Sequence, residues 1–310
     1  MNIARALLVH KKSVYQLYVT EHASEAVSDA IDRGDPQARR MLRSHEVQAA
    51  ALERVQQRLE ALGVEVVTRY RANTRRTAGY DLVISLGGDG TLLDTARRVQ
   101  DDTPVLGLNS DPSASVGALC AGHAGEVDAL IEALRSGQLK PRALTRLRVR
   151  VGDEEPMAPV LNDALYAHAC PADLTRFEVG VLDSARAEAL TPNDSASLLE
   201  PVRGSGLWIA TAAGSTAAVR SAGGRVMPRG SRKLQYVLRE PYVPPAQSRP
   251  RGPQGGLVEP DQALVIINRT RRGMVWVDGP HRRASVSYGQ RVLIDRHPLS
   301  LNLVPKPPAQ

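Results

Sequence analysis

The sequence is poor in cysteine and in aromatic residues. Cys120 and Cys170 are its only 2 cysteines among 310 residues. They stand alone, outside any CxxC, which excludes a disulfide framework and a cysteine-based zinc site and points to buried or inert thiols in a reducing compartment. Phe, Trp and Tyr make up 4% of the chain, which leaves no stacking platform for nucleic acid. No run of about eighteen apolar residues occurs. The opening stretch Met1 to His10 is too short, and too soon followed by Lys11 and Lys12, to be a cleavable signal. The expectation is a cytoplasmic protein with no membrane partner and no nucleic-acid partner. Two common phosphate-binding patterns are also missing: GxxxxGK[ST] does not occur, and GxGxxG follows no predicted strand. The 7 histidines form no HxxH or HExxH, so no resident metal site is expected.

What is present is a chain long enough for two ordinary domains, with 42% hydrophobic residues and a net charge of +7. The basic residues are scattered and almost all arginine, which suits attraction of a polyanionic small molecule. The first half alternates strand-like and helix-like segments: Ala6 to His10, Glu65 to Tyr70, Asp81 to Leu86 and Pro104 to Leu108, with helices between them. Leu52, Val55, Leu59 and Leu62 recur at helical spacing before Gly63, which predicts a helix ending near Leu62. Residues Val14 to Arg40, containing Asp32-Arg33-Gly34-Asp35-Pro36, read as an inserted loop with some helix. A helix over about Gly125 to Leu134, closed by Gly137, ends this α/β part.

From Leu144 the chain reads as β. Leu147, Val149 and Val151 alternate with Arg146, Arg148 and Arg150, the pattern of an antiparallel strand with one wet face. Short runs follow at Val160 to Tyr166, Phe177 to Leu182, Leu207 to Thr211, Leu234 to Leu238, Leu264 to Asn268, Met274 to Val277 and Arg291 to Ile294. Many short strands with Gly and Pro turns predict a sandwich-like domain. Trp208 and Trp276 fall on these runs and are expected in its core. Pro241 to Pro260, with six prolines and three glycines, reads as a long surface loop.

The chemistry begins at Asp81 to Leu93, DLVISLGGDGTLL. Gly87, Gly88 and Gly90 surround Asp89 at a strand-to-helix junction, where backbone N–H groups can close on phosphate oxygens at the positive end of a helix. A strained turn needs the same glycines for geometry alone. Asp89 is the member such a turn does not need. Inside a phosphate cradle a carboxylate holds a metal ion or takes a proton from an attacking hydroxyl. Thr91, at the helix start, can cap N–H groups or touch phosphate.

Three separated blocks now coincide: Gly87-Gly88-Asp89-Gly90-Thr91, Asn162-Asp163 in VLNDALY, and Gly206 to Gly224, GLWIATAAGSTAAVRSAGG. Together they resemble the NAD kinase family, which phosphorylates the 2′-hydroxyl of the adenosine ribose of NAD. Gly107-Leu108-Asn109-Ser110-Asp111-Pro112, Gly117 to Cys120, Ser205-Gly206, Arg239-Glu240-Pro241 and Val277-Asp278-Gly279 are similar to the branch containing the mitochondrial-type enzyme of animals. The resemblance implies an N-terminal Rossmann-like α/β domain over 1–138, which binds nucleotide through the GGDGT loop. It implies a C-terminal β-sandwich-like, NAD-binding domain over 139–298, a segment 299–310 returning to the first domain, and nucleotides held between the two.

It further implies that Asp89 is the catalytic base and that Gly87, Gly88, Gly90 and Thr91 hold ATP, with Mg²⁺ sharing the phosphate charge. Asn162 and Asp163 would clamp the NAD ribose, and Thr211, Gly214, Ser215, Thr216, Ala217 and Asn109 would line the dinucleotide site. Homodimerisation through the C-terminal domain is expected. The chain departs from the family pattern in places. Asp163 replaces the usual glutamate, Ala212 and Ala213 a Pro-Thr pair, and Ala218 a frequent tyrosine. Leu119 and Ser205 stand where many members have phenylalanine and aspartate. Two alternatives remain at this stage. One is a nucleotide-binding regulator of the same fold that has lost activity; the other is a lipid kinase of the diacylglycerol type, which lacks counterparts of the second and third blocks.

Overall fold

The computed structural model describes residues 1–191, 195–248, 250 and 252–308. It divides into two compact units, one of Met1–Arg142 with the stretch from Asn302, the other of Ala143–Leu301. No described helix is long and apolar enough to cross a membrane.

In the first unit, β1 (Arg5–His10), β2 (Glu65–Tyr70), β3 (Leu82–Leu86) and β4 (Val105–Asn109) pair in parallel in the order β2-β1-β3-β4. The short β5 (Gly122–His123) adds to β4, and the late strand Leu301–Leu303 lies between β4 and β6 (Arg142–Leu144). Every residue of β3 and β4 is buried, as parallel strands covered on both faces require. The helices α1 (Glu25–Asp32), α2 (Pro36–Ala61), α3 (Asp89–Ala96) and α4 (Val127–Ser136) complete the unit. Leu8, Ile84 and Leu106 of the sheet share a core with Val55 and Leu59 of α2 and Ile131 and Leu134 of α4.

The 26-residue helix α2 starts inside the stretch expected to be an inserted loop with some helix. Asp35 is its cap: Oδ1 accepts the N–H groups of Gln37 and Ala38 at 2.9 Å each, and Pro36 opens the first turn with its fixed φ. The helix stops before Gly63, whose φ of 72° suits glycine.

The second unit contains β7 (Leu147–Val151), β8 (Asp163–His168), β9 (Thr175–Asp183), β10 (Glu200–Gly204), β11 (Gly206–Ala210), β12 (Leu234–Arg239), β13 (Gly255–Val258), β14 (Gln262–Asn268), β15 (Gly273–Val277), β16 (Arg283–Val286) and β17 (Arg291–Arg296). They form a five-stranded sheet, β10-β9-β14-β17-β7, and a six-stranded sheet, β13-β12-β11-β8-β15-β16, all antiparallel. Val149, Phe177, Ile266 and Ile294 of the first meet Tyr166, Ile209, Leu238 and Val275 of the second in one core, which makes the unit a sandwich. The fold is thus α/β followed by all-β, as expected.

Local differences from the expectation have physical causes. Arg146 precedes β7 and is fully buried, not on a wet face; its guanidinium donates to the carbonyls of Leu299 (3.0 Å) and Ser300 (3.2 Å). Burial pushes it down to about 10. Part of the proline-rich stretch forms the edge strand β13 on β12; residues 249 and 251 of that stretch, and 309–310 of the last segment, lie outside the described residues. Trp208 and Trp276 do not enter the core. They are half-buried and alternate with core residues, so they stand on the outer face of the six-stranded sheet, each opposite Leu165. Cys120 is buried but Cys170 is exposed.

Candidate functional site

The glycine-rich loop lies at the C-terminal end of β3, where a parallel sheet opens to ligands. Helix α3 begins at Asp89, with Gly88 in the cap position and no side chain closing the end. Backbone N–H groups and the helix dipole there suit an anion. Gly87 has no room for a side chain, since a Cβ would lie 2.3 Å from Thr91 Oγ1. Thr91 is therefore the third helical residue, buried against Gly87, and not the cap. Gly88 packs beside Ser115, 3.1 Å from where its own Cβ would stand, and Gly90 is exposed.

Asp89 is fixed by the chain that follows β4. Its Oδ1 accepts the N–H of Leu119 at 2.8 Å, and its Oδ2 that of Ala118 at 3.0 Å. Two backbone donors orient the carboxylate and leave lone pairs on each oxygen for another donor. Cys120, next in line, donates from Sγ to the Gly87 carbonyl at 3.7 Å; burial, with the Asp89 charge second, pushes its thiol up to about 12. This thiol is a packing residue and not a nucleophile.

Asn109 occupies the end of β4, beside the loop, through the Gly87 N–H to Leu108 carbonyl bond of 2.9 Å. Its amide is engaged locally: Nδ2 donates to the Ser115 carbonyl at 2.9 Å, and Oδ1 accepts from Asp111 N–H (3.1 Å) and Ser115 Oγ (3.0 Å). Asn109 thus shapes the turn that carries Ala118 and Leu119, which a ligand-contact reading of the sequence did not foresee. Within that turn burial opposes ionisation of Asp111, but hydrogen bonds from Ser113 and Ser44 hold its carboxyl below the usual range.

The second group of candidates assembles in the second unit where β8 starts and β11 ends. Thr211 N–H donates to the Asn162 carbonyl at 2.9 Å, Thr211 Oγ1 donates to the Leu161 carbonyl at 2.5 Å, and Gly214 N–H returns to Thr211 Oγ1 at 3.2 Å. Gly214 presses on this backbone: a Cβ there would lie 2.1 Å from the Asn162 carbonyl oxygen. Ser215 is buried, donating to the Ala212 carbonyl (2.7 Å) and accepting from Met227 N–H (3.0 Å). Neither Ser215 nor Thr216 caps the short helix Ala218–Ser221, whose cap is Ala217. Thr216 is exposed.

One residue outside the expected set organises this group. Asp278, at the end of β15 with a left-handed φ of 46°, accepts the N–H groups of Leu161 and Asn162 at 2.8 Å each and that of Asp163 at 3.4 Å. The Asp-Gly pair at a strand end hinted at a special turn; the target of its carboxylate, 115 to 117 residues back, left no local signal. Asp163 is 8% exposed. Burial first, and the charge of Asp278 second, raise its carboxyl to about 7. Beside it, the buried amide oxygen of Asn162 has no partner among the described residues. A buried acceptor without a donor, next to a titratable carboxyl, is a place where hydroxyl groups of a ligand can be received. Among the described residues no cluster of three or more His, Cys, Asp or Glu could hold a metal ion.

Comparison with known proteins identifies the family. Residues 2–137 match the model of the ATP-NAD kinase N-terminal domain. A probable NADH kinase of Oryza sativa subsp. japonica is 38% identical over 229 residues, covering 69% of this chain and 67% of the relative. The NADH kinase of Arabidopsis thaliana is 35% identical over 240 residues, covering 72% of each. Two solved structures share the fold. An NAD kinase from Archaeoglobus fulgidus in complex with ATP has a TM-score of 0.63 at 19% identity, over 96% of this chain and 92% of that one. Yeast NADH kinase complexed with NADH has a TM-score of 0.66 at 17% identity, over 99% and 85%. With relatives this similar over more than two thirds of their length, the chain belongs to the NAD kinase family.

Proposed function

We infer that this chain is an ATP-dependent NAD(H) kinase, which transfers the γ-phosphoryl of ATP to the 2′-hydroxyl of the adenosine ribose of NAD or NADH and yields NADP(H). The observation that carries the reading is Asp89, a carboxylate oriented by the N–H groups of Ala118 and Leu119 at the uncapped, glycine-built start of α3. Phosphoryl transfer asks the protein for alignment and charge compensation, and no catalytic lysine. The N–H groups around Gly87, Gly88 and Gly90 receive phosphate oxygens, with Thr91 setting the shape of the loop. Asp89 receives the proton of the attacking hydroxyl through a lone pair its two backbone donors leave open. Mg²⁺ carried in with ATP would offset charge on the transferred group, and the loop's own donors are N–H groups suited to phosphate oxygens.

In the second unit Asn162 and Asp163 take the ribose hydroxyls. The orphaned Asn162 oxygen supports this assignment. Thr211 and Gly214 hold the Asn162 backbone in place, and Ser215, Thr216 and Ala217 continue the wall. Asp278 accepts the N–H groups of Leu161 and Asn162 and so fixes the backbone that carries the shorter Asp163. Homodimerisation is supported by an apolar row on the outer face of the six-stranded sheet, where Val237, Trp208, Leu165 and Trp276 lie opposite one another on β12, β11, β8 and β15. The test is direct: purified protein with ATP, Mg²⁺ and either NAD or NADH should form NADP(H). Nucleotide binding without product would instead identify a regulator.

A further inference from the structure

The five-stranded sheet carries a cavity of about 410 Å³ unrelated to the residues above, walled by β9, β10 and the chain after β12. Arg176, Arg203 and Arg269 line it together with Glu178, Tyr242 and Pro244. Antiparallel register sets Arg203 directly opposite Arg176. Both are exposed and alternate with the core residues Phe177 and Val202, so both guanidinium groups leave the same outer face of the sheet.

Like charges directly opposite on neighbouring strands repel, and such a pair is destabilising unless something sits between its members. Neither arginine is ion-paired to a described residue. The one carboxylate among the described lining residues is already used: Glu178 takes Arg269 in a two-point pair at 3.0 and 3.1 Å. The described lining residues therefore keep an excess of two positive charges. The Tyr242 N–H donates to the Arg203 carbonyl at 3.0 Å, which fixes the tyrosine segment as a wall beside the pair.

We propose that this cavity is a binding site for a small phosphomonoester, whose phosphate bridges Arg176 and Arg203. Each guanidinium offers a planar fork of donors. A tetrahedral phosphate presents oxygen pairs to two forks at once, whereas a carboxylate presents a single edge and satisfies one. The volume exceeds what a phosphate group fills, and the exposed ring of Tyr242 with Pro244 receives the organic part. The site residues assigned above on β8 and after β11 belong to the other sheet, so occupancy here is separate from turnover.

The test uses the full chain with its nucleotide sites filled by ADP and NADP. Inorganic phosphate is titrated calorimetrically into wild type and into Arg203→Gln, with acetate as a monocarboxylate comparison. Saturable phosphate binding in the millimolar range is expected for wild type, at least tenfold weaker in the variant, with acetate weaker than phosphate and kinase activity unchanged. Phosphate should also raise the unfolding midpoint of wild type and not that of Arg203→Gln. Arg203→Glu, which turns the repelling pair into an attracting one, should abolish both effects in a well-folded protein. Equal phosphate affinity in all three proteins, or no saturation in wild type, would overturn the assignment.

Discussion

Replacing Asp163 by asparagine should make the protein more stable at neutral pH and a poorer enzyme. The side chain is 8% exposed and faces the charge of Asp278, and these two causes raise its carboxyl from 3.8 to about 7. In the unfolded chain it ionises at its ordinary value. Between about pH 4 and pH 7 the folded state therefore holds a proton that the unfolded state has released, and stability falls as pH rises through that window. Above it the carboxyl is ionised in both states and the penalty is constant. The span from 3.8 to about 7 corresponds to roughly 4 kcal/mol as an upper bound. Asparagine keeps the shape and removes the charge. The variant should match wild type near pH 4, gain steadily, and lead by up to that amount from pH 7 upward. Both tryptophans, Trp208 and Trp276, lie in the second unit, so their fluorescence during urea unfolding at several pH values follows the unit that contains Asp163. An amide also accepts less well from two ribose hydroxyls, so KM for NAD should rise in the same variant. A stability difference that does not grow with pH, or a variant less stable at pH 8, would refute the reasoning.

Asp89→Asn should lower NADP(H) formation by roughly 10²–10⁴-fold with unchanged circular dichroism, and full turnover would show the base to lie elsewhere. Gly214→Ala places a Cβ 2.1 Å from the Asn162 carbonyl oxygen; backbone displacement there should cost about 1–3 kcal/mol and raise KM for NAD more than KM for ATP, as initial-rate kinetics would reveal. Light scattering should give twice the 33.5 kDa mass of one chain, and Trp276→Arg, on the outer apolar row, should shift it toward the monomer.

Much of the architecture is legible because it rests on local signals. The α2 stripe at Leu52, Val55 and Leu59 and the stop at Gly63 are set by neighbouring residues, and so is the strand-turn-helix around Gly87. The start of α2 was readable too, but Asp35-Pro36 suits a turn as well as a cap, and only the N–H groups of Gln37 and Ala38 decide between them. Arg146 looks like one of three alternating arginines; its burial follows from the carbonyls of Leu299 and Ser300, more than 150 residues away. Trp208 and Trp276 have the composition of core residues, yet the parity of their strands turns them outward. At the candidate site the residue types were legible and their supports were not. The N–H groups that orient Asp89 come from a segment 29 and 30 residues on, and Asp278 reaches Asn162 across 116. Backbone donors carry no side-chain signature, so no residue pattern announces them.

The strand Leu301–Leu303 has a consequence for how the protein is made. It fills a place between β4 and β6, and Val304 joins the core of the first unit. A ribosome releases these residues only after the whole of the second unit, so the first unit is completed after the second. The second unit is one uninterrupted stretch, Ala143–Leu301, and can close while the first still waits. Until the late strand arrives, the start of β4 at Val105 lacks a partner on one side and offers open N–H and C=O groups to any other strand. The nascent chain is most exposed to mispairing at the sheet on which its phosphate loop is built.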